Sequence, residues 1–330
     1  MTNERLRPER NLALELVRTT EAAAIAAARW VGRGDKIGGD QAAVDAMRSV
    51  LDGVQMDGVV VIGEGEKDEA PMLYNGESVG NGEPPATDIA VDPIDGTTLT
   101  ALGRGGAIAV IAAAERGSMY NPGSMVYMEK IAVGPEGAGI VDIRLPVGRN
   151  LTALAKAKGR AVSDLTCMVL DRPRHSTLVQ EIRDAGARIL SIPDGDVAGA
   201  IATCWPESGV DILFGVGGTP EGVIAACALK AMGGDLQGRL YARDDADRAL
   251  AEEEGHDLEA ILGLDDLVKT DNCMFAATGI TTGDLLKGVA YEKGALTTES
   301  LVMRGTTGTV RLIEARHSLD KLQHMDAPDF

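Results

Sequence analysis

Aromatic side chains are scarce in this sequence: three Phe, two Trp and five Tyr make up 3% of 330 residues. A core must therefore be built from Ala, Val, Ile, Leu and Met. Basic residues are outnumbered, 32 against 50 acidic, leaving a formal net charge of -18. That balance opposes broad binding to nucleic acid or an anionic membrane, although a local basic pocket can still take a phosphate. Cysteine is sparse too. Cys167, Cys204, Cys227 and Cys273 form no C-x-x-C pair, which argues against a zinc site or a disulfide scaffold. The four histidines, His175, His256, His317 and His324, lack metal-ligand spacing, so any metal must rest on oxygen ligands, which points to Mg²⁺ or Mn²⁺. No stretch nears the roughly 18 apolar residues of a membrane helix, and Ala107 to Ala114 is too short. Met1 to Arg10 is charged, with no apolar signal core, so a cytoplasmic address is expected.

What remains is the composition of a soluble globular protein, 45% hydrophobic and 25% charged, long enough for two domains or one elaborated one. The chemistry concentrates in Thr87-Asp88-Ile89-Ala90-Val91-Asp92-Pro93-Ile94-Asp95-Gly96-Thr97-Thr98. Ile89 to Val91 reads as a short buried strand that Pro93 ends, delivering Asp92 at its tip. Asp95 follows across a turn, Gly96 allows close backbone approach, and Thr97 and Thr98 leave N–H groups to face an anion. Carboxylates beside exposed amides suit a divalent cation carrying a phosphate. An EF-hand loop from Asp92 would need Glu at its twelfth position, which is Gly103. An aspartyl-phosphate enzyme would want a nucleophilic Asp two residues before Asp95, where Pro93 stands.

Taken in order, Glu9 to Trp30 and the segment around Val44, Met47 and Leu51 read as amphipathic helices, with Asp40 as the N-cap of the second. Val59 to Ile62 is a buried strand that empties into the acidic run Gly63 to Glu69, which holds Glu64 and Asp68. Ala107 to Ala114 and Met125 to Val133 are predicted as a hairpin, with Ala138 to Ile143 completing a meander. From Leu151 onward helix and strand alternate: Leu151 to Lys158, Cys167 to Leu170, Ser176 to Ala185, Ile189 to Ile192, Val197 to Cys204, Val210 to Phe214. Such alternation marks an α/β unit with parallel strands, whose ligands collect at strand ends. Those ends carry Arg172 and Arg174, plausible as a phosphate clamp, then Asp194 and Asp196, and then Gly215 to Glu221. Asp194 and Asp196 most economically form a turn and cap the next helix, and Glu221 suits a helix start. The last glycine-rich segment lacks the G-K-[ST] of a nucleotide loop. Asp244 to Asp266 reads as a solvated helical face, Cys273 to Thr278 as a buried strand, and Gly288 to Glu314 as closing antiparallel strands. The expected division is an α+β metal-binding domain over 1–150 and an α/β substrate-clamp domain over 151–330. Its boundary is soft, because the closing strands can pack back on the first domain.

Together, Gly63-Glu64-Gly65-Glu66-Lys67-Asp68-Glu69-Ala70-Pro71-Met72-Leu73, Asp92 to Thr97, Tyr127-Met128-Glu129-Lys130 and Gly217-Gly218-Thr219-Pro220-Glu221-Gly222 resemble class II fructose-1,6-bisphosphatases over almost the whole chain. The central motif is similar to that of the wider lithium-sensitive sugar and inositol phosphatases. The resemblance implies a layered α-β-α-β-α sandwich of the sugar phosphatase type, mixing α+β and α/β character. It also implies hydrolysis of the 1-phosphate of fructose 1,6-bisphosphate by metal-activated water, and a homodimer or homotetramer. By its pattern Asp40, Glu64, Asp92, Asp95 and Glu221 would ligate two or more Mg²⁺ or Mn²⁺ ions, while Asp68 and Thr97 would position and deprotonate the water. Asp95, Gly96 and Thr97 would touch the departing phosphate. Tyr127, Arg172, Pro173, Arg174, Asp194, Gly195, Asp196 and Gly218 would line the sugar bisphosphate pocket, with Lys36 at its edge. Many members of the class carry Glu where this chain has Asp95, which shortens that ligand by one methylene. A sedoheptulose-1,7-bisphosphatase or dual enzyme, an inositol or nucleotide monophosphatase and a non-catalytic sugar-phosphate sensor are the alternatives.

Overall fold

The structure is a computed structural model and describes residues 12–65 and 72–322. The chain opens with α1 (Leu12–Ala28) and α2 (Lys36–Leu51), then β1 (Asp57–Ile62), β2 (Ser78–Val79), β3 (Ala86–Asp95), α3 (Thr97–Leu102) and β4 (Ile108–Glu115). Its middle runs β5 (Tyr127–Val133), α4 (Val147–Ala157), β6 (Thr166–Leu170), α5 (Ser176–Asp184), β7 (Arg188–Ile192), α6 (Asp196–Ala202), β8 (Ile212–Gly218), α7 (Thr219–Met232) and β9 (Asp235–Leu240). The last part holds α8 (Asp245–Glu253), α9 (Leu264–Leu267), β10 (Cys273–Gly279), β11 (Ala290–Glu292), β12 (Ala295–Arg304), β13 (Thr309–Ser318) and α10 (Leu319–Leu322).

Two sheets organise these elements. The larger is ordered β11-β12-β10-β4-β3-β1-β2, with β13 on the free side of β12, and the smaller β7-β6-β8-β5-β9. β4 shows why the larger sheet is buried on both faces. Alternate side chains of a strand point to opposite sides. Ile108, Val110, Ala112 and Ala114 enter one core, while Ala109, Ile111 and Ala113 enter the other. The second of these cores is closed by α1 and α2, through Leu16, Ala23 and Met47. The first is shared with α6, α7 and the inner face of the smaller sheet, through Val197, Ile224, Leu229, Met128 and Leu213. The outer face of the smaller sheet packs Ile131, Val169 and Phe214 against α4 and α5 through Leu151, Leu154 and Ile182. The result is the expected α-β-α-β-α layering. Helix α7, with Ile224, Ala226, Ala228 and Leu229 fully buried, lies in its centre. Among the described residues no helix is long and apolar enough to cross a membrane.

Four local expectations fail, each for a physical reason. β4 and β5 do not form a hairpin: β4 pairs with β3 and β10, while β5 pairs with β8 and β9 in the other sheet. The meander strand at 138–143 is absent, its place taken by turns whose backbone is held by Asn150 and Gln237 side chains. Pro93 does not end β3. The register against β4 jumps from Asp92↔Val110 to Asp95↔Ile108, so the strand bulges at the residue that has no N–H to donate and then continues. Asp35, not Asp40, caps α2, its carboxylate accepting from Gly38 N at 2.9 Å.

Candidate functional site

The bulge in β3 decides the geometry of the central motif. In an unbroken strand Asp92 and Asp95 would face opposite ways; with one extra residue between their partners the alternation resets, and the two carboxylates repel each other directly. Asp92 Oδ1 accepts from Ile94 N at 3.1 Å, which braces the bulge. Gly96, at φ 102°, then turns the chain from β3 into α3, and Thr97 Oγ1 donates to Ile94 O at 3.2 Å. A Cβ at Gly96 would sit 2.9 Å from Leu99 Cδ1 and 3.3 Å from Ala107 Cα, so glycine is required here twice over.

Three other elements bring acids to this point. Asp40 lies within α2, Glu64 just beyond β1, and Glu221 in the first turn of α7. Burial, then the charges of Asp40 and Glu221, pushes the Glu64 carboxyl up to about 8. Burial, then Asp95, Glu64, Glu221 and Asp40, raises Asp92 well above the usual carboxylate range. Asp95 is raised in the same way by burial, Asp196 and Glu221, even though its Oδ2 accepts from Ala198 N at 3.3 Å. Burial and Asp196 lift Glu221 to about 7, opposed by Lys130, and burial raises Asp40. All five acids therefore share one electrostatic neighbourhood. Glu221 Oε2 is buried there without a hydrogen-bond partner, as is Thr219 Oγ1. Among the described residues no three His, Cys, Asp or Glu side chains stand close enough to form a closed coordination shell. The donor set still suits a hard divalent cation: it consists of oxygen alone, it is over-charged, and one of its buried oxygens is unpartnered.

The polar strand ends of the smaller sheet close over the acids. Asp194 Oδ2 accepts from Thr98 N at 3.2 Å, so one amide expected to face an anion is already engaged. Lys36 Nζ donates to Thr98 Oγ1 at 2.9 Å. Neither Asp194 nor Asp196 caps α6; that place is filled by Gly195 in the left-handed region, with no side-chain hydrogen bond. Arg172, beside Pro173, donates to Pro193 O at 2.6 Å and lies 3.7 Å from Asp194. Arg174 donates to Val216 O through Nε (3.1 Å) and Nη2 (2.6 Å), and its Cζ lies 5.3 Å from the centre of the Tyr127 ring. Gly218 precedes Glu221 so closely that a Cβ there would collide with the carboxylate. Asp68 lies outside the described residues. All the other expected site residues fall either in the acid cluster or in this covering layer.

Two residues to which sequence reasoning gave no role hold the site together. Lys130, 4% exposed, donates to Asp196 Oδ2 and to Gly218 O, the latter at 2.8 Å. It is the cation that opposes the rise of Glu221. Met128, Lys130 and Ala132 alternate toward the inner core, so a lysine at an inward position of an apolar strand was the available signal. His175 is buried between strand ends: Nδ1 meets Leu170 O at 2.7 Å and Nε2 accepts from Val216 N at 2.8 Å. Those bonds assign a neutral ring, and burial lowers its pKa accordingly.

Residues 10–317 match the family described as bacterial fructose-1,6-bisphosphatase, glpX-encoded. Fructose-1,6-bisphosphatase 1 class 2 of Escherichia coli (strain K12) is 48% identical over 325 residues, covering 94% of this chain and 96% of that protein. Class 2 fructose-1,6-bisphosphatases of Escherichia coli O6:H1 and Shigella flexneri are similar to the same extent. The chain belongs to the family of bacterial, glpX-encoded fructose-1,6-bisphosphatases, the class II enzymes that its motifs resemble.

Proposed function

We propose that the chain hydrolyses the 1-phosphate of fructose 1,6-bisphosphate by direct attack of water, giving fructose 6-phosphate and phosphate in gluconeogenesis. One observation carries the reading: Asp40, Glu64, Asp92, Asp95 and Glu221, from separate parts of the chain, repel one another around a buried and unpartnered carboxylate oxygen. Phosphate monoesters are so inert that rate factors reach about 10²¹, or nearly 30 kcal/mol. A positioned base supplies only about 10²–10⁴ of this, so charge stabilisation must supply most of the rest. Two or more Mg²⁺ or Mn²⁺ ions held by these acids would lower the pKa of the attacking water and stabilise the leaving oxygen.

The chain's own residues do the positioning. Thr97, on the turn made by Gly96, and Asp68 would orient the water, and the same turn lets backbone approach the departing phosphate. Asp194, Gly195, Asp196 and Gly218 hold the sugar, and Lys130 keeps Asp196 in place. Arg172, Arg174 and Tyr127 take the distal phosphate, with Lys36 near the reacting one. In this reading four of the five metal ligands come from residues 1–150 and most of the clamp from 151–330, with Glu221 and Tyr127 crossing between them. We place the enzyme in the cytoplasm as a homodimer or homotetramer.

The test is phosphate release from a substrate panel with Mg²⁺ and Mn²⁺ run side by side. No release from fructose 1,6-bisphosphate with either metal overturns the proposal. A higher kcat/KM on sedoheptulose 1,7-bisphosphate or on an inositol or nucleotide monophosphate reassigns the substrate.

A further inference from the structure

We infer that Arg243 is a further specificity residue of this enzyme: it completes the subsite for the phosphate that is not cleaved, opposite Arg174 and across the ring of Tyr127. The inference rests on the reading that Arg174 and Tyr127 receive that phosphate. Arg243 Cζ lies 5.1 Å from the centre of the Tyr127 ring, and Arg174 Cζ 5.3 Å from the same centre. One phenol thus gathers two guanidiniums from segments far apart in sequence.

The segment that carries Arg243 is fastened to the strand that carries Tyr127. β9 runs antiparallel to β5 with Leu240 opposite Met128, and Tyr241 N then donates to Tyr127 O at 2.9 Å. Arg243 follows two residues later, just before α8. Both guanidiniums are anchored by the same pair of nitrogens. Arg174 uses Nε and Nη2 on Val216 O, and Arg243 uses Nε (2.7 Å) and Nη2 (2.9 Å) on the two oxygens of Asp247. In each case Nη1 makes no hydrogen bond among the described residues. Two pre-set, uncommitted N–H forks beside a phenol match a tetrahedral dianion, and anchoring them in advance removes the entropy cost of ordering long side chains at binding. Asp247 is the anchor and Arg243 the contact. A cleft of about 560 Å³ opens next to them, lined by Arg174, Tyr241 and Ala242, so a ligand has access from solvent. In a chain of net charge -18, a bisphosphate needs such a local concentration of donors.

The experiment compares Arg243→Gln with Arg174→Gln in the metal-loaded enzyme. With fructose 1,6-bisphosphate, Arg243→Gln should lower kcat/KM about 10- to 100-fold, as expected for one lost charge-assisted hydrogen bond, and through KM rather than kcat. Product inhibition supplies the readout that a merely structural role would not move. Fructose 6-phosphate keeps the distal phosphate, so its inhibition constant should rise by a similar factor, while that of inorganic phosphate at the reacting subsite should stay within about twofold. Arg243 is half exposed, and an unchanged melting temperature would confirm that the variant folds. If Arg174→Gln shows the selective loss and Arg243→Gln does not, the inference fails and the clamp reading stands. If neither variant separates fructose 6-phosphate from phosphate, the clamp reading itself falls. An equal rise in both inhibition constants for Arg243→Gln also overturns the inference.

Discussion

Replacing Glu64 by Gln tests whether the acid cluster is held together against its own repulsion. The substitution keeps size and shape and removes one charge. In the folded protein, burial with Asp40 and Glu221 nearby lifts the Glu64 carboxyl from 4.5 to about 8. The folded state therefore holds a proton that the unfolded chain releases, so stability is unaffected below the unfolded value and falls as pH rises from there toward 8. At 1.36 kcal/mol per pKa unit, the loss from this residue is about 3 kcal/mol at pH 7 and about 5 kcal/mol above pH 8. Glutamine carries no such penalty. Denaturant unfolding of metal-free protein should show the variant gaining on wild type from about pH 5 to about pH 8.5 by several kcal/mol, while its phosphatase activity is lost. Adding Mg²⁺ or Mn²⁺ should recover the lost stability of wild type and do far less for the variant. Parallel stability curves for the two proteins across that range would refute the reasoning.

Other perturbations report on separate parts of the site. Asp92→Ala should abolish turnover while circular dichroism stays native; wild-type turnover would remove the acid cluster from the mechanism. Lys130→Met leaves Asp196 buried without its partner and should cost about 3–5 kcal/mol by denaturant unfolding, because breaking one side of a buried pair exposes the full desolvation cost of the other. Gly96→Ala adds a Cβ 2.9 Å from Leu99 Cδ1 at a positive φ and should lower stability by about 1–3 kcal/mol, with loss of activity as the turn into α3 shifts. A melting temperature equal to that of wild type would contradict the strain argued for that turn.

Much of the layered fold was legible because burial on two faces leaves a distinctive pattern. The apolar run at Ala107 to Ala114 reads as a strand, and the alternation after Leu151 matches α4 through β8 closely. Strand partners were less legible, because register depends on contacts between distant segments. Nothing local in β4 indicates that it pairs with β10 and not with β5. The acidic motifs carried the site, yet the roles of single residues depended on tertiary context. Asp40 reads locally as a cap although Asp35 fills that place, and Arg243 stands just before a run that reads as a solvated acidic face, whose Asp247 anchors it. Pro93 was read by its local rule as a stop, although an unpaired bulge satisfies the same missing N–H.

The order of strands in the larger sheet also bears on biosynthesis. β1 to β4 leave the ribosome early, but one edge of β4 waits for β10, which is made only after residue 272, and α7 must already be seated between the two sheets when it arrives. A nascent chain of this topology presents an apolar, unpaired strand edge from the completion of β4 until β10 is made, the state in which chaperone capture or misassembly competes with completion.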